Sequence, residues 1–287
     1  MPRPVSIPDT EVHPLHSKHV ADDFELWIAR PQAGFVATEP GPVRVLYVLD
    51  ANLFFGTVVE MTRLMHKLYG ELPPLLVVGV AYPTEDGLLQ GALRTRDFTP
   101  SEDAGMAAMA SSFPQSPEAA RIRPTMGGAE AFRRFLEEEA KPFVDERFDV
   151  QHDGQILFGS SLGGLFVLHT LWTTPDAFDT YLAVSPALWW NDDEAFRTVE
   201  SRVTALDRRP GVFIAVGELE EAPEVPMLAR FRMVTNARAM ATRLQDDAIA
   251  DLQVDFEEFA GESHTSVVPG ALTRGLRTFL RTPRPDA

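Results

Sequence analysis

Short, nearly continuous apolar runs alternate with longer amphipathic stretches, and this alternation constrains the fold more than any other feature of the chain. The runs lie at 43–49, 75–80 and 212–216. Such runs are typical of strands buried on both faces of a mainly parallel sheet, where each strand returns through a helix. The sequence therefore predicts one α/β domain over residues 1–287, with a mostly parallel central sheet flanked by helices.

Weaker patterns complete this prediction. Further strands are predicted at 22–30, 155–158, 181–184 and 252–256, and helices at 128–147, 226–244 and 268–281. Pro142 is expected to kink the first of these helices. Residues 82–127 carry little periodicity and are predicted to form an inserted, cap-like loop over the active site at one edge of the sheet.

Charge and composition exclude several kinds of site and partner. With 26 basic and 42 acidic side chains, the formal charge is −16, which argues against nucleic acid and anionic membrane surfaces as partners. No cysteine is present, so disulfides, a thiolate nucleophile and sulfur-ligated zinc are excluded. The N-terminus lacks an apolar signal run, and we expect a cytoplasmic protein. Neither a metal site nor a cofactor is predicted.

The segment Gly159-Ser160-Ser161-Leu162-Gly163-Gly164 contains the most informative motif, G-x-S-x-G. It follows an apolar strand and begins an apolar helix, the setting of a nucleophile elbow. Glycines on both sides of Ser161 permit the tight turn that lifts its hydroxyl above the sheet, so Ser161 is the predicted nucleophile. The alternative is a glycine-rich turn with a capping serine.

A serine nucleophile needs a base and an acid, which follow it in the order Ser, acid, His. Of the seven histidines, only His169 and His264 lie downstream of Ser161. His169 falls within the helix that Ser161 begins, so His264 is the predicted base. The acid is expected after the run at 212–216, where Glu220 is favoured and Glu218 is second.

Two amide groups are expected to stabilise the oxyanion that develops on the attacked carbonyl. One is the N–H of Leu162 at the helix N-terminus, and the other belongs to Ala51 or Asn52, after an earlier strand. Asp50 is adjacent, and its carboxylate is expected either to cap that turn or to bind substrate.

Four other side chains are candidates for substrate contacts. Arg94 and Arg96 stand out in an acidic chain, and either is expected to contact a substrate oxygen or to pair with Asp97 or another acid. Trp189 and Trp190 are expected to form an aromatic wall of the site or to pack within the core.

The chain resembles the putative-esterase (esterase D-like) family of α/β-hydrolases, closest to the branch of siderophore trilactone esterases. The resemblance spans residues 12–281 and is carried by YVLDANLFF, VVGVAYP, RTRDFTP, GSSLGGLFVLHTL, PDAFDTYLAVSPALWW, GELE and ESHTS. It implies ester hydrolysis through an acyl-enzyme, with Ser161 as nucleophile, His264 as base and the acid in GELE. Ser160 departs from the His or Gln of many relatives, which is expected to shift the polarity of the pocket more than the mechanism.

The leading hypothesis is a serine carboxylic-ester hydrolase without a cofactor, acting on a small, aromatic or hydroxy-acid ester, with a siderophore lactone as one candidate. An acyltransferase that uses a sugar or alcohol acceptor is the first alternative. A catalytically inactive hydrolase fold that serves as a binding module is the second.

Overall fold

A single eight-stranded sheet forms the centre of the protein. The computed structural model describes residues 5–35, 42–110, 125–202, 209–245 and 252–281. Within them the strand order is β1-β2-β4-β3-β5-β6-β7-β8; β1 and β2 are antiparallel to their neighbours, and β3 to β8 run parallel. The strands are β1 Thr10–Ser17, β2 Asp22–Ala29, β3 Arg44–Val48, β4 Leu75–Ala81, β5 Ile156–Ser160, β6 Thr180–Val184, β7 Gly211–Gly217 and β8 Gln253–Phe259.

Helices cover both faces of this sheet. They are α1 Ala51–Tyr69, α2 Gly87–Phe98, α3 Ala104–Ala110, α4 Ala129–Phe135, α5 Lys141–Arg147, α6 Leu162–Thr173, α7 Trp190–Arg202, α8 Pro226–Phe231, α9 Met233–Leu244 and α10 Val267–Leu280. Helices α1 and α10 pack on one face, while α2, α4, α6 and α9 contribute to the core on the other. Strands β4 to β7 are buried along their whole length because both faces are covered, which explains their apolar runs.

The predicted fold class, a mostly parallel sheet flanked by helices as in α/β-hydrolases, is confirmed. The predicted single helix at 226–244 is wrong, because Arg232 adopts a left-handed conformation (φ 48°) that separates α8 from α9. The helix at 128–147 comprises α4 and α5 joined by a π-helical turn, Leu136–Ala140, which ends two residues before Pro142.

The segment 82–127 contains more regular structure than its sequence predicts. Helix α2 begins where the Asp86 carboxylate accepts hydrogen bonds from the amides of Leu88 (2.9 Å) and Leu89 (3.2 Å), and it buries Leu93 and Phe98. Helix α3 follows, and residues 111–124 lie outside the described part. The Asp86 N-cap and a short buried apolar face therefore stabilise α2, although the apolar residues of this segment show little helical periodicity.

Because β3 to β8 run parallel, the turns after their carboxyl ends meet at one edge of the sheet. Asp50 follows β3, Tyr82 follows β4, Ser161 follows β5, Ser185 follows β6 and Glu220 follows β7. The loop after β8 brings His264 to the same edge. The fold thus brings together side chains that are far apart in the sequence, as is usual in open α/β sheets.

Candidate active site

Ser161 lies in a strained turn between β5 and α6. Its backbone has φ 60° and ψ −118°, which is a strained conformation for a residue with a Cβ. Its amide donates to the Val184 carbonyl (3.0 Å), and its carbonyl accepts from the amide of Leu165 (3.0 Å), so neighbouring elements hold the turn. A Cβ placed on Gly159 would lie 2.4 Å from the Gly163 carbonyl oxygen, so the turn requires glycine there.

His264 and Glu220 form a close pair at this edge. The His264 Nδ1 lies 2.5 Å from Oε2 of Glu220, whose side chain is 1% exposed, whereas the imidazole is 42% exposed. The other carboxylate oxygen, Oε1, accepts hydrogen bonds from the Ser185 hydroxyl (2.6 Å) and the Gly217 amide (2.6 Å). The buried carboxylate is therefore held in place while one side of the imidazole faces solvent.

Two backbone contacts bring the His264 loop against the turn after β7. The Leu219 amide donates to the Glu262 carbonyl at 3.0 Å. A Cβ on Gly217 would lie 2.4 Å from the same carbonyl oxygen, so the absence of a side chain there allows the loops to approach. The separation between Glu220 and His264 is thereby set by backbone packing.

The structure distinguishes the carboxylates of Glu218, Glu220 and Glu221. Glu218 accepts a hydrogen bond from the Gly261 amide (2.8 Å), and Glu221 accepts from the amide (2.7 Å) and hydroxyl (2.6 Å) of Thr235. Glu220, which the sequence favours as the acid, is the one whose described contacts include His264. Sequence reasoning missed Ser185, whose signal was only a serine directly after an apolar strand.

The three predicted oxyanion residues all occupy first helical turns. Leu162 begins α6, and Ala51 and Asn52 begin α1. Amides in a first turn have no acceptor within their own helix, so they are available to an incoming oxyanion. The Asn52 side chain is engaged elsewhere: its amide nitrogen donates to the Tyr82 carbonyl (3.0 Å), and its oxygen accepts from the Tyr82 amide (2.8 Å).

Asp50 and Arg94 form a bidentate ion pair beside the turn that holds Ser161. Arg94 Nε and Nη2 each donate to one Asp50 carboxylate oxygen at 2.9 Å, and Nη2 lies 3.5 Å from the Ser160 carbonyl. Burial lowers the pKa of Arg94, but the Asp50 carboxylate outweighs it, so that pKa lies above its ordinary value. Asp50 occupies the N-cap position of α1, yet its carboxylate bonds Arg94 and not the helix amides.

Arg96 takes the structural alternative that the sequence left open. Its guanidinium donates to both oxygens of buried Asp97 (2.7 and 2.9 Å) and to Asp22 (2.7 Å). The Tyr82 hydroxyl also donates to Asp97, at 3.1 Å. Burial, with the Asp97 charge second, raises the pKa of Tyr82 well above its ordinary value, so this hydroxyl keeps its proton.

The two tryptophans are in different environments. Trp190 is 1% exposed, and its indole N–H donates to the Ser101 carbonyl (3.1 Å), so its ring packs in the core. Trp189 is partly exposed and stacks on Phe231, with ring centroids 4.4 Å apart. Of the pair, Trp189 is the one that retains a surface for other contacts.

A cavity of about 460 Å³ is lined by Asn52, one of the predicted oxyanion residues. Tyr82, Glu25, Trp27 and Glu85 also line it. The Trp27 indole donates to Glu25 at 2.8 Å, which fixes both side chains. Within the described residues no cluster of potential metal ligands occurs, and no helix has the length and apolar character of a membrane span.

Comparisons with a family model and with known proteins agree on one family. The family described as "Putative esterase" matches residues 28–278. The chain is 36% identical to the ferri-bacillibactin esterase BesA of Bacillus subtilis, covering 98% of this chain and 92% of the relative. It is 27% identical to the siderophore triacetylfusarinine C esterase of Aspergillus fumigatus, covering 97% and 96%.

Solved structures agree with the sequence relatives. The BES protein of Bacillus cereus superposes with a TM-score of 0.77 at 31% identity, over 98% of this chain and all of the other. The siderophore hydrolase EstB of Aspergillus nidulans gives a TM-score of 0.81 at 26% identity over both full chains. The extent of the family match and the identity to curated esterases lead to one conclusion: this chain belongs to the Putative esterase family of α/β-hydrolase fold.

Proposed function

We propose that the chain is a serine carboxylic-ester hydrolase in which Ser161 is the nucleophile, His264 the base and Glu220 the acid of the triad. One observation carries this proposal: a buried carboxylate, Glu220, pairs with His264 at the sheet edge where Ser161 lies in a strained strand-to-helix turn. That combination matches the roles that serine hydrolysis requires.

The first half-reaction forms an acyl-enzyme. The Ser161 hydroxyl oxygen attacks the ester carbonyl carbon while His264 Nε2 takes its proton. The tetrahedral intermediate collapses by breaking the bond to the leaving alcohol, which receives the proton from His264. Water then attacks the acyl-enzyme with His264 again as base, and the carboxylic acid product and free Ser161 result.

Glu220 and the helix amides support these steps differently. Glu220 accepts from Nδ1–H of His264, which leaves Nε2 unprotonated in the resting enzyme and stabilises the imidazolium that forms. The amides of Leu162 and of Ala51 or Asn52 donate to the oxyanion. Both helix N-termini also place positive partial charge near that oxygen.

The proposed substrate is an ester or lactone of a hydroxy acid of the siderophore type. Relatives over nearly the whole chain are a ferri-bacillibactin esterase and a siderophore triacetylfusarinine C esterase. The cavity that Asn52 lines offers room for a substituent of the substrate. Trp189 remains a candidate contact for the rest of the substrate.

The test compares Ser161→Ala with Ser6→Ala, an exposed serine near the N-terminus, in hydrolysis of p-nitrophenyl butyrate and of a hydroxy-acid trilactone. Ser161→Ala should lower kcat at least ~10³-fold, while Ser6→Ala retains full activity. A fluorophosphonate probe should label only proteins with Ser161. Retained hydrolysis by Ser161→Ala would refute the nucleophile, and ester products formed with added alcohol would indicate acyl transfer.

A further inference from the structure

We infer that helix α2 fixes the oxyanion side of the active site through two side chains, Arg94 and Asp97, which act as positioning residues. This inference rests on the proposed esterase function. Helix α2 lies in the segment 82–127, which the sequence predicts only to be an inserted loop. The inference gives this helix a role in supporting catalysis. The two residues lie three positions apart, and so on one side of α2.

The first contact holds the turn that precedes α1. Asp50 has a left-handed backbone (φ 53°), and its carbonyl accepts from the amides of Leu53 (2.8 Å) and Phe54 (3.1 Å). Its carboxylate is 3% exposed and is fixed in plane by the bidentate Arg94 guanidinium. Since Ala51 directly follows Asp50, the direction of its N–H depends on this ion pair.

The same guanidinium reaches the nucleophile turn. Arg94 Nη2 lies 3.5 Å from the carbonyl of Ser160, the residue before the nucleophile. A Cβ on Gly163, in the first turn of α6, would lie 3.4 Å from an Asp50 carboxylate oxygen. The ion pair is therefore packed between the two helix N-termini that carry the proposed oxyanion amides.

The second contact acts through Tyr82. Asp97 is fully buried and accepts from the Tyr82 hydroxyl at 3.1 Å. The backbone of Tyr82 in turn makes two hydrogen bonds with the side chain of Asn52, at 2.8 and 3.0 Å. Asp97 is itself held by Arg96, so α2 also determines where Asn52 lies.

These contacts predict a specific kinetic signature. Oxyanion donors act mainly on the transition state, so a displaced donor lowers kcat more than it changes KM. An arginine that only bound substrate would change KM, and one that only stabilised the fold would change the melting temperature. The split between kcat and KM therefore separates a positioning role from the other two.

The experiment compares Arg94→Lys with Arg133→Lys on p-nitrophenyl butyrate. Lysine keeps the charge beside Asp50 but loses the bidentate geometry. Arg133 is the control because it also makes a bidentate pair with a carboxylate, Glu130 on α4 (3.0 and 2.6 Å), outside the site. Arg94→Lys should lower kcat about 10- to 100-fold with KM within about two-fold, while Arg133→Lys changes neither.

Tyr82→Phe provides a variant that removes a single hydroxyl and leaves Asp97 paired with Arg96. It should lower kcat about five- to ten-fold without a matching change in KM. Inhibition by a boronic acid, which forms a tetrahedral adduct with the nucleophile, should weaken in parallel with kcat in both Arg94→Lys and Tyr82→Phe. Circular dichroism and melting temperature confirm that each variant is folded.

The outcomes separate this inference from the proposed function. If the parent enzyme is active but Arg94→Lys and Tyr82→Phe keep the parental kcat, or change only KM, the positioning role is refuted and the esterase function stands. If the parent shows no Ser161-dependent hydrolysis, the proposed function and this inference both fail.

Discussion

Replacing Glu220 with glutamine tests the triad at the residue on which the sequence was least decisive. In the parent protein Oε1 accepts from the Ser185 hydroxyl and the Gly217 amide, both at 2.6 Å. A glutamine amide must place its oxygen toward these two donors, so its NH₂ group faces His264 Nδ1. That nitrogen must then accept, which moves the imidazole proton to Nε2, the atom that has to receive the proton of Ser161.

The expected loss follows from this tautomer change. In serine hydrolases with a buried acid, the amide substitution lowers kcat by about 10⁴-fold. Here the imidazole is 42% exposed, so water partly stabilises the imidazolium and the loss should be smaller. We expect a reduction in kcat of about 10²- to 10³-fold, or ~3–4 kcal/mol in activation free energy, with little change in KM.

Glu218→Gln is the matched control, because Glu218 lies in the same turn but accepts only from the Gly261 amide among its described contacts. Stopped-flow or steady-state hydrolysis of p-nitrophenyl butyrate gives kcat and KM for each variant. Since the amide preserves the shape of the carboxyl group, both proteins should fold. A Glu220→Gln enzyme with more than about a tenth of parental kcat, or an equal loss in Glu218→Gln, would refute the reasoning.

Three further predictions concern the supports of the site. Gly159→Ala should prevent formation of the native turn and lower the melting temperature by several degrees in calorimetry, because its Cβ would lie 2.4 Å from the Gly163 carbonyl oxygen; an unchanged melting temperature would contradict this. Ser185→Ala removes a donor to Glu220 and should lower kcat about ten-fold, whereas the parental kcat would show that the hydroxyl is dispensable. Glu25 lines the cavity, and its carboxylate should attract a positively charged acyl chain. Glu25→Gln should therefore lower about five-fold the ratio of kcat/KM for p-nitrophenyl 6-aminohexanoate to kcat/KM for the neutral p-nitrophenyl heptanoate. An unaltered ratio would place the charged group of the substrate outside the cavity.

Local sequence determined the framework and the proposed nucleophile. The parallel sheet follows from apolar runs that fit strands buried on both faces, and the structure confirms it. Ser161 is recognisable from the glycines at 159 and 163. All the residues that form this turn lie within five positions, and a Cβ on Gly159 would clash with the Gly163 backbone. His264 follows from chain order and from the helical position of His169, so both were predicted without knowledge of long-range packing.

Tertiary structure decided which polar side chains meet. The sequence ranks Glu220 above Glu218 as the acid without a contact to decide between them, and the approach of the Glu262 backbone to Gly217 brings Glu220 to His264. Arg94 and Asp50 are 44 positions apart, and their pairing depends on where α2 packs. Sequence periodicity indicates which face of a segment is buried, but not which segments pack against each other. A buried charge without a partner is strongly destabilising, so each buried charge must lie beside an opposite charge or a hydrogen-bond partner. Which partner that is depends on the packing of all the elements at this edge of the sheet.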